Sequence, residues 1–301
     1  MDYEQKQKRQ KIRVIISECF MVAAVIGLVA VLLMIVSGYW VSPDFEVERQ
    51  GMVAVSSVPT GADVLIDGET AWFQRTNTSK MVKSGAHTIV LKKDGYDTWS
   101  KDIEVGDGLM YRLRYPRLFP VNRKFEKVEK PEDIAEFEKK LAEAKAKEAK
   151  RKIYDEDGNI PLRFYDTDYL MTLTQNKIEI VKKDDQSLMM EASLGFVPDK
   201  VKVGYDGEFI TMSWGKRIAT IDMERMEVVD FEIESTDYGW LEEGVIYVVS
   251  DKNELIVYDY DGLNRREIAI NVAADKPVKI IDDYLYYYIG ELLVRESLIA
   301  S

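Results

Sequence analysis

The sequence predicts an all-β ectodomain carried by one N-terminal transmembrane helix, with a charged connector helix between two β modules. Three observations predict it. No charge falls between Cys19 and Pro43. Turn signals then break residues 51–120 into short β-rich runs. A strand pattern recurs near residues 169, 208, 245 and 284. The expected organisation is a basic cytoplasmic stub (1–13), a transmembrane helix (14–41), a linker (42–50), a small β-sandwich (51–120), a charged helical spacer (121–152) and about four β repeats (153–301).

The formal charge of −12 is unevenly spread: residues 153–301 carry −16 and residues 1–13 carry +3. An acidic chain argues against nucleic-acid binding, which needs a basic surface. One Cys excludes an internal disulfide framework, and one His with one Cys leaves no thiolate or imidazole metal centre. No cofactor and no metal are expected.

The apolar run meets the roughly 20 residues that a helix needs to cross a bilayer. Tyr39 and Trp40 stand at its far end, where amphipathic rings favour the headgroup layer. Lys6, Lys8, Arg9, Lys11 and Arg13 stand at its near end. By the positive-inside rule they keep the N-terminus in the cytoplasm and put residues from about 42 outside the cytoplasmic membrane. The run is longer than a signal-peptide core, and no Ala-x-Ala follows it, so an uncleaved anchor is expected.

In the next segment Val64-Leu65-Ile66 closes on Asp67-Gly68, a hairpin signal because both turn positions take positive φ. His87 to Lys92 is a second strand, turned by Asp94-Gly95. Asp107-Gly108 leads into Leu109 to Leu113. Strands at this spacing suggest a small sandwich. The run Val55 to Gly68, with Pro59-Thr60-Gly61-Ala62 and Asp67-Gly68, resembles the PEGA domain family. So does Ser84 to Tyr96, with Gly85, His87, Gly95 and Tyr96. Thr60 replaces the Glu of the Pro-Glu-Gly-Ala signature, and Thr70 to Thr78 lacks the family's Thr-Pro pair and reads as a loop. The resemblance implies a β-sandwich of envelope proteins without catalytic residues. His87, with no second His or Cys beside it, reads as a strand position.

Pro131 suits the first position of a helix, and Glu132 and Asp133 suit its positive end. Ile134, Phe137, Leu141 and Ala144 form a thin apolar stripe, so a helix of about 20 residues resting on one neighbour is expected.

The repeats follow. Each unit pairs two strands, such as Glu208 to Met212 with Arg217 to Asp222, and further strands flank most units. Four strands in roughly 40 residues is the signature of a β-propeller blade. The run Val203 to Ile210 resembles the blade turn of WD-repeat and TolB-like propellers. Four units are few, so a small or partial propeller, or two chains completing one ring as a homo-oligomer, is expected, with a solenoid-like β stack or an irregular sandwich as the alternative.

No nucleophile elbow, phosphate loop or dinucleotide fingerprint occurs. The doublets Asp184-Asp185, Glu242-Glu243 and Asp282-Asp283 read as solvated turns. Asp155 to Asn159 and Asp259 to Gly262 lack the full spacing of a calcium loop. The expected function is a non-catalytic, outward-facing binding or scaffolding protein of a prokaryotic envelope. Its partner would be an envelope protein or a cell-wall polymer. The alternatives are an envelope glycan hydrolase using carboxylates of the acidic module, and a transmembrane sensor.

Overall fold

In the computed structural model, residues 3–36, 39–41, 47–150, 153–204 and 207–300 are described. The first element is a helix, α1 (Tyr3–Val36). Its segment Ile16–Met34 is long and apolar enough to cross a membrane, and none of it is buried. Two expected boundaries shift. The helix begins inside the basic stub, so Lys6, Lys8, Arg9, Lys11 and Arg13 lie on its first turns, with side chains outside the described residues. It also ends before residue 41, because Tyr39–Val41 forms strand β1. Aromatic and β-branched residues favour a strand where a partner is at hand. That partner is β2 (Val47–Val55), with Tyr39 opposite Arg49. Residues expected as a linker at 47–50 therefore belong to a strand.

The chain divides into two units, residues 1–56, 64–89 and 102–114 on one side and residues 57–63, 90–101 and 115–301 on the other. The strands after β2 are β3 (Asp63–Ile66), β4 (Glu69–Arg75), β5 (Thr78–Lys83), β6 (Gly85–Lys92), β7 (Trp99–Val105) and β8 (Met110–Leu113). One sheet runs β1-β2-β5, with β8 parallel to β2; the other runs β4-β3-β6-β7. The loop expected over Thr70 to Thr78 is instead β4 and the start of β5. Asn77 reverses the chain between them at φ 72°, a conformation that Asn tolerates. Asp67 (φ 54°) and Gly68 (φ 79°) form the two-residue turn that the sequence signals. β7 alternates buried and exposed along its whole length, as a half-buried strand should.

Next come β9 (Phe125–Lys127) and α2 (Pro131–Lys150). Four four-stranded sheets follow in the second unit. The first is β10 (Ile160–Phe164), β11 (Thr167–Thr174), β12 (Lys177–Lys182) and β13 (Leu188–Ser193). The second is β14 (Lys200–Val203), β15 (Phe209–Trp214), β16 (Arg217–Asp222) and β17 (Glu227–Glu232). The third is β18 (Gly239–Glu242), β19 (Val245–Val249), β20 (Leu255–Asp259) and β21 (Arg266–Ala269). The fourth is β22 (Lys279–Ile281), β23 (Tyr284–Ile289) and β24 (Leu292–Ser297), completed by β9. Each of the first three is a sequential antiparallel meander, the order of a propeller blade. The fourth takes its outer strand from 170 residues upstream, pairing Glu126 with Arg295 and so covering the edge of β24. Of the Val203 to Ile210 blade turn, Tyr205 and Asp206 lie outside the described residues.

Burial tells the inner sheets from the outer ones. β15, β16, β19 and β20 are buried at nearly every position, so the second and third sheets are covered on both faces. One core cluster joins the first sheet to the second around Met171, Ile178, Ile180 and Met212. Another joins the third to the fourth around Val257, Leu285, Tyr287 and Val294. The fourth sheet's remaining face is covered by α2, whose Phe137 is buried beside Leu293, Tyr286 and Tyr288.

Candidate functional site

The stripe on α2 sets the geometry of one cleft. Ile134, Phe137 and Leu141 recur at helical spacing and pack on the fourth sheet. The Phe137 ring stacks on Tyr286 with centroids 5.0 Å apart. Lys140 on the same turn donates to Asp282 at 2.5 Å and pairs with Glu136 at 3.0 Å. These hydrogen bonds, to Asp282 first and Glu136 second, raise the Lys140 pKa. Between α2 and the first strands of the third and fourth sheets lies a cleft of about 370 Å³. Leu141, Leu241, Ile280 and Ile281 form apolar walls, while Lys140, Lys279, Glu242 and Glu243 supply charge.

A second constellation lies inside the second unit, where residues 90–101 and 115–120 meet the third sheet. Trp99 is fully buried, and its Nε1–H donates to Asp259 Oδ2 at 2.6 Å. Asn264 Nδ2 donates to the same oxygen at 2.8 Å and to the Ser100 carbonyl at 2.9 Å. Lys101 Nζ donates to Asp261 at 2.5 Å, to the Tyr115 hydroxyl at 2.7 Å and to the Tyr260 hydroxyl at 3.0 Å. The Tyr115 and Tyr260 rings meet edge to face at 4.8 Å, and Tyr260 stacks on Phe209 at 4.3 Å. Burial, with the Asp261 charge beside it, pushes the Asp259 pKa up to about 7, against the pull of Arg266, Asn264 and Trp99. Each of these buried polar groups has a hydrogen-bonding partner within 3.0 Å.

The residues of the PEGA-like motif divide between these settings. Pro59 follows a cis peptide bond, Thr60 accepts at its carbonyl from Lys93 at 3.0 Å, Gly61 has positive φ and Ala62 is fully buried. Gly95 leaves room for the Ala300 methyl, which a Cβ there would meet at 2.8 Å. The Tyr96 hydroxyl accepts from the Ala300 amide at 2.8 Å. In the first unit Asp67 and Gly68 make their turn, Gly85 opens β6 at φ 128°, and His87 spans from Asp67 (2.7 Å) to the Lys83 carbonyl (2.7 Å). Burial pulls the His87 pKa down, but the hydrogen bonds to Asp67 and Lys83 outweigh it and raise it.

The carboxylate doublets part company. Asp184, Asp185, Asp282 and Asp283 are exposed, as turns require. Glu242 is not solvated in the same way. Its Oε1 lies 2.9 Å from buried Arg117, and burial raises its pKa against the pull of that cation. Asp155 is a turn acceptor, taking the amides of Asp157 and Asn159. Of the module aromatics, Phe164, Tyr238, Trp240, Tyr258, Tyr260 and Tyr287 are core, Tyr284, Tyr286 and Tyr288 are half-buried, and Tyr165 and Trp214 are exposed. Sequence reasoning missed Trp99, Lys101 and Arg117, whose carboxylate partners Asp259, Asp261 and Glu242 are more than 100 residues away.

No curated protein matches the chain. Three solved structures show how loose its structural likenesses are. The β-propeller domain of Cps50 (Swd1) from Myceliophteria thermophila is 10% identical, with a TM-score of 0.28 over 71% of this chain and 67% of that one. The C-terminal WD40 domain of Sif2 is 11% identical, with a TM-score of 0.30 over 82% and 57%. The extracellular domain of BT4673 from B. thetaiotaomicron is 8% identical, with a TM-score of 0.31 over 69% and 26%. The chain thus spans little more than half of the Sif2 domain and a quarter of the BT4673 one. The propeller-like character of the four sheets lies in their strand order. Residues 50–117, the span that holds both motifs, match the PEGA domain family.

Proposed function

We propose that this protein is a single-pass, membrane-anchored, non-catalytic binding or scaffolding protein that faces outward from a prokaryotic cell envelope. Its partner is another envelope protein or a cell-wall polymer. The observation that carries the reading is α1: the 19-residue segment Ile16–Met34, apolar but for Ser17 and Glu18 at its start, is long enough to span, and none of it is buried. An apolar surface of that length in water is costly, and a bilayer removes the cost. The PEGA domain and the propeller-like sheets support a binding role, because such scaffolds present loops and faces rather than one fixed chemistry. The basic residues Lys6, Lys8, Arg9, Lys11 and Arg13 supply the direction.

Protease accessibility in intact cells tests it, with a C-terminal tag on the full chain and a cytoplasmic control. Loss of the tag without lysis is expected. Digestion only after permeabilisation would place the β modules in the cytoplasm and overturn the outward reading.

A further inference from the structure

The first sheet has one covered face and one open face. Ile160, Leu162, Met171, Ile178, Ile180 and Met190 point into the core shared with the second sheet. The opposite face carries one apolar row across all four strands. Pro161 pairs with Leu170, Leu170 with Val181, and Val181 with Leu188. Pro161 is exposed, Leu170 and Val181 are half-buried, and Leu188 is 57% exposed. The corresponding outer face of the fourth sheet is covered by α2.

Charges flank the row on both sides. Two residues to one side stand Arg163, Asp168 and Lys183, with the Lys183 amide bonded to the Asp168 carbonyl. Two residues to the other side stand Glu179 and Glu191, both held by Lys177 at 2.9 Å. One flank has two cations and one carboxylate; the other has two carboxylates and one cation. A two-fold axis along the apolar row lays each row residue on its own counterpart. It also turns each cationic flank onto the partner's anionic one, bringing Lys183 to Glu179 of the second copy twice over. An axis along the strands would set each flank against itself, like on like. We propose that the open face of the first sheet binds a second copy of this chain in that first orientation, sheet on sheet. The charge pattern selects the partner and the axis together.

Four apolar side chains make a weak interface, so the test traps it. The full-length chain with Cys19→Ser is purified into lipid vesicles and oxidised with copper phenanthroline. Val181→Cys, facing itself across the axis, should give a disulfide dimer several-fold faster than Asp251→Cys, in an exposed turn of the third sheet. Lys183→Glu or Glu179→Lys should each slow trapping, and the two together should restore it. Leu188→Asp, at an exposed position that leaves the core untouched, should also slow it. Equal trapping of the two cysteines overturns the proposal and leaves the face for another partner. Indifference to Lys183→Glu or to Leu188→Asp overturns it too, as does a double charge swap that fails to restore the dimer. None of these readings depends on which side of the membrane the sheets occupy.

Discussion

The Trp99 indole donates to Asp259 Oδ2 at 2.6 Å, joining residues 160 positions apart inside the second unit. The indole satisfies the buried carboxylate without adding charge, as does the Asn264 amide on the same oxygen. It does not fully offset the cost of burial, and the Asp259 pKa is pushed up to about 7 from 3.8. Between those two values the folded state keeps a proton that the unfolded state has lost. The contribution of Asp259 to stability therefore falls as pH rises from about 4 to about 7, and is level above that. Asp259→Asn keeps an acceptor for Trp99 and removes the charge. The variant is expected to match the parent near pH 4 and to exceed it by up to roughly 4 kcal/mol at pH 8. Calorimetric melting temperatures across that range check it; parallel curves would mean that Asp259 titrates as an ordinary carboxylate.

Lys101 and Asp261, both 7% exposed, lie 2.5 Å apart. Removing one partner of such a pair strands a buried charge, at a cost of about 3–5 kcal/mol. Lys101→Met should fall in that range. Lys101→Met with Asp261→Asn should cost less than the two single changes together, because no lone charge remains. Denaturant titration of the four chains gives the coupling. A double variant as unstable as the summed singles would show that the lysine acts through its tyrosine contacts alone.

What was legible in the sequence was local. The apolar run of α1 follows from composition alone. The strands from Tyr169 onward follow from β-rich runs that recur about every 40 residues, and the Asp67-Gly68 turn from the positive φ that both positions need. Pro131, the acidic first turn and the stripe through Phe137 locate α2 within its true bounds. What was not legible depends on partners far away in sequence. β9 is three exposed residues with no pattern of its own, and becomes a strand only against β24. β10 carries Pro161, which masks its alternation, yet Ile160, Leu162 and Phe164 are buried. Asp259-Tyr260-Asp261-Gly262 reads the same whether solvated or facing Trp99 and Lys101. Glu242 likewise shows nothing of Arg117 in its own neighbourhood. β1 was lost because Tyr39 and Trp40 suit a membrane interface as well as they suit a strand.

The Phe137 contact makes α2 part of the fourth sheet's packing rather than a free spacer. The ring is 2% exposed and lies against Tyr286, Tyr288 and Leu293. Phe137→Ala removes the central side chain of a thin stripe, and losses of about 3–5 kcal/mol are usual for a buried Phe. The helix gains too little from propensity to hold its place without that contact. Amide exchange of residues 134–141 should therefore accelerate strongly while β19 and β20 stay protected. Unchanged protection of α2 would show that Ile134 and Leu141, with the Lys140–Asp282 bridge, suffice to hold it.

His87 is the only histidine in the chain, so one imidazole titration reports on one site. Its Nδ1 lies 2.7 Å from Asp67 Oδ2, and its Nε2 lies 2.7 Å from the Lys83 carbonyl. Burial lowers its pKa, and the two hydrogen bonds together with the Asp67 charge raise it further than burial lowers it. Asp67 is held below its ordinary value first by the Thr88 amide and then by His87. A histidine raised in the folded state stabilises below its unfolded pKa of about 6.5, and that contribution is lost as pH rises through the folded value. Asp67→Asn keeps an acceptor for the Thr88 amide but removes the anion that favours the imidazolium. The His87 pKa, followed by NMR of the labelled imidazole, should then drop, leaving burial opposed by the Lys83 carbonyl and the Glu104 charge. The parent's stability advantage over the variant should be present near pH 5–6 and shrink by pH 9. Half of the Asp67 side chain is exposed, so solvent screens the pair and the advantage should stay near 1 kcal/mol or below. An unmoved His87 titration would show that the Lys83 carbonyl, not Asp67, sets the histidine's charge.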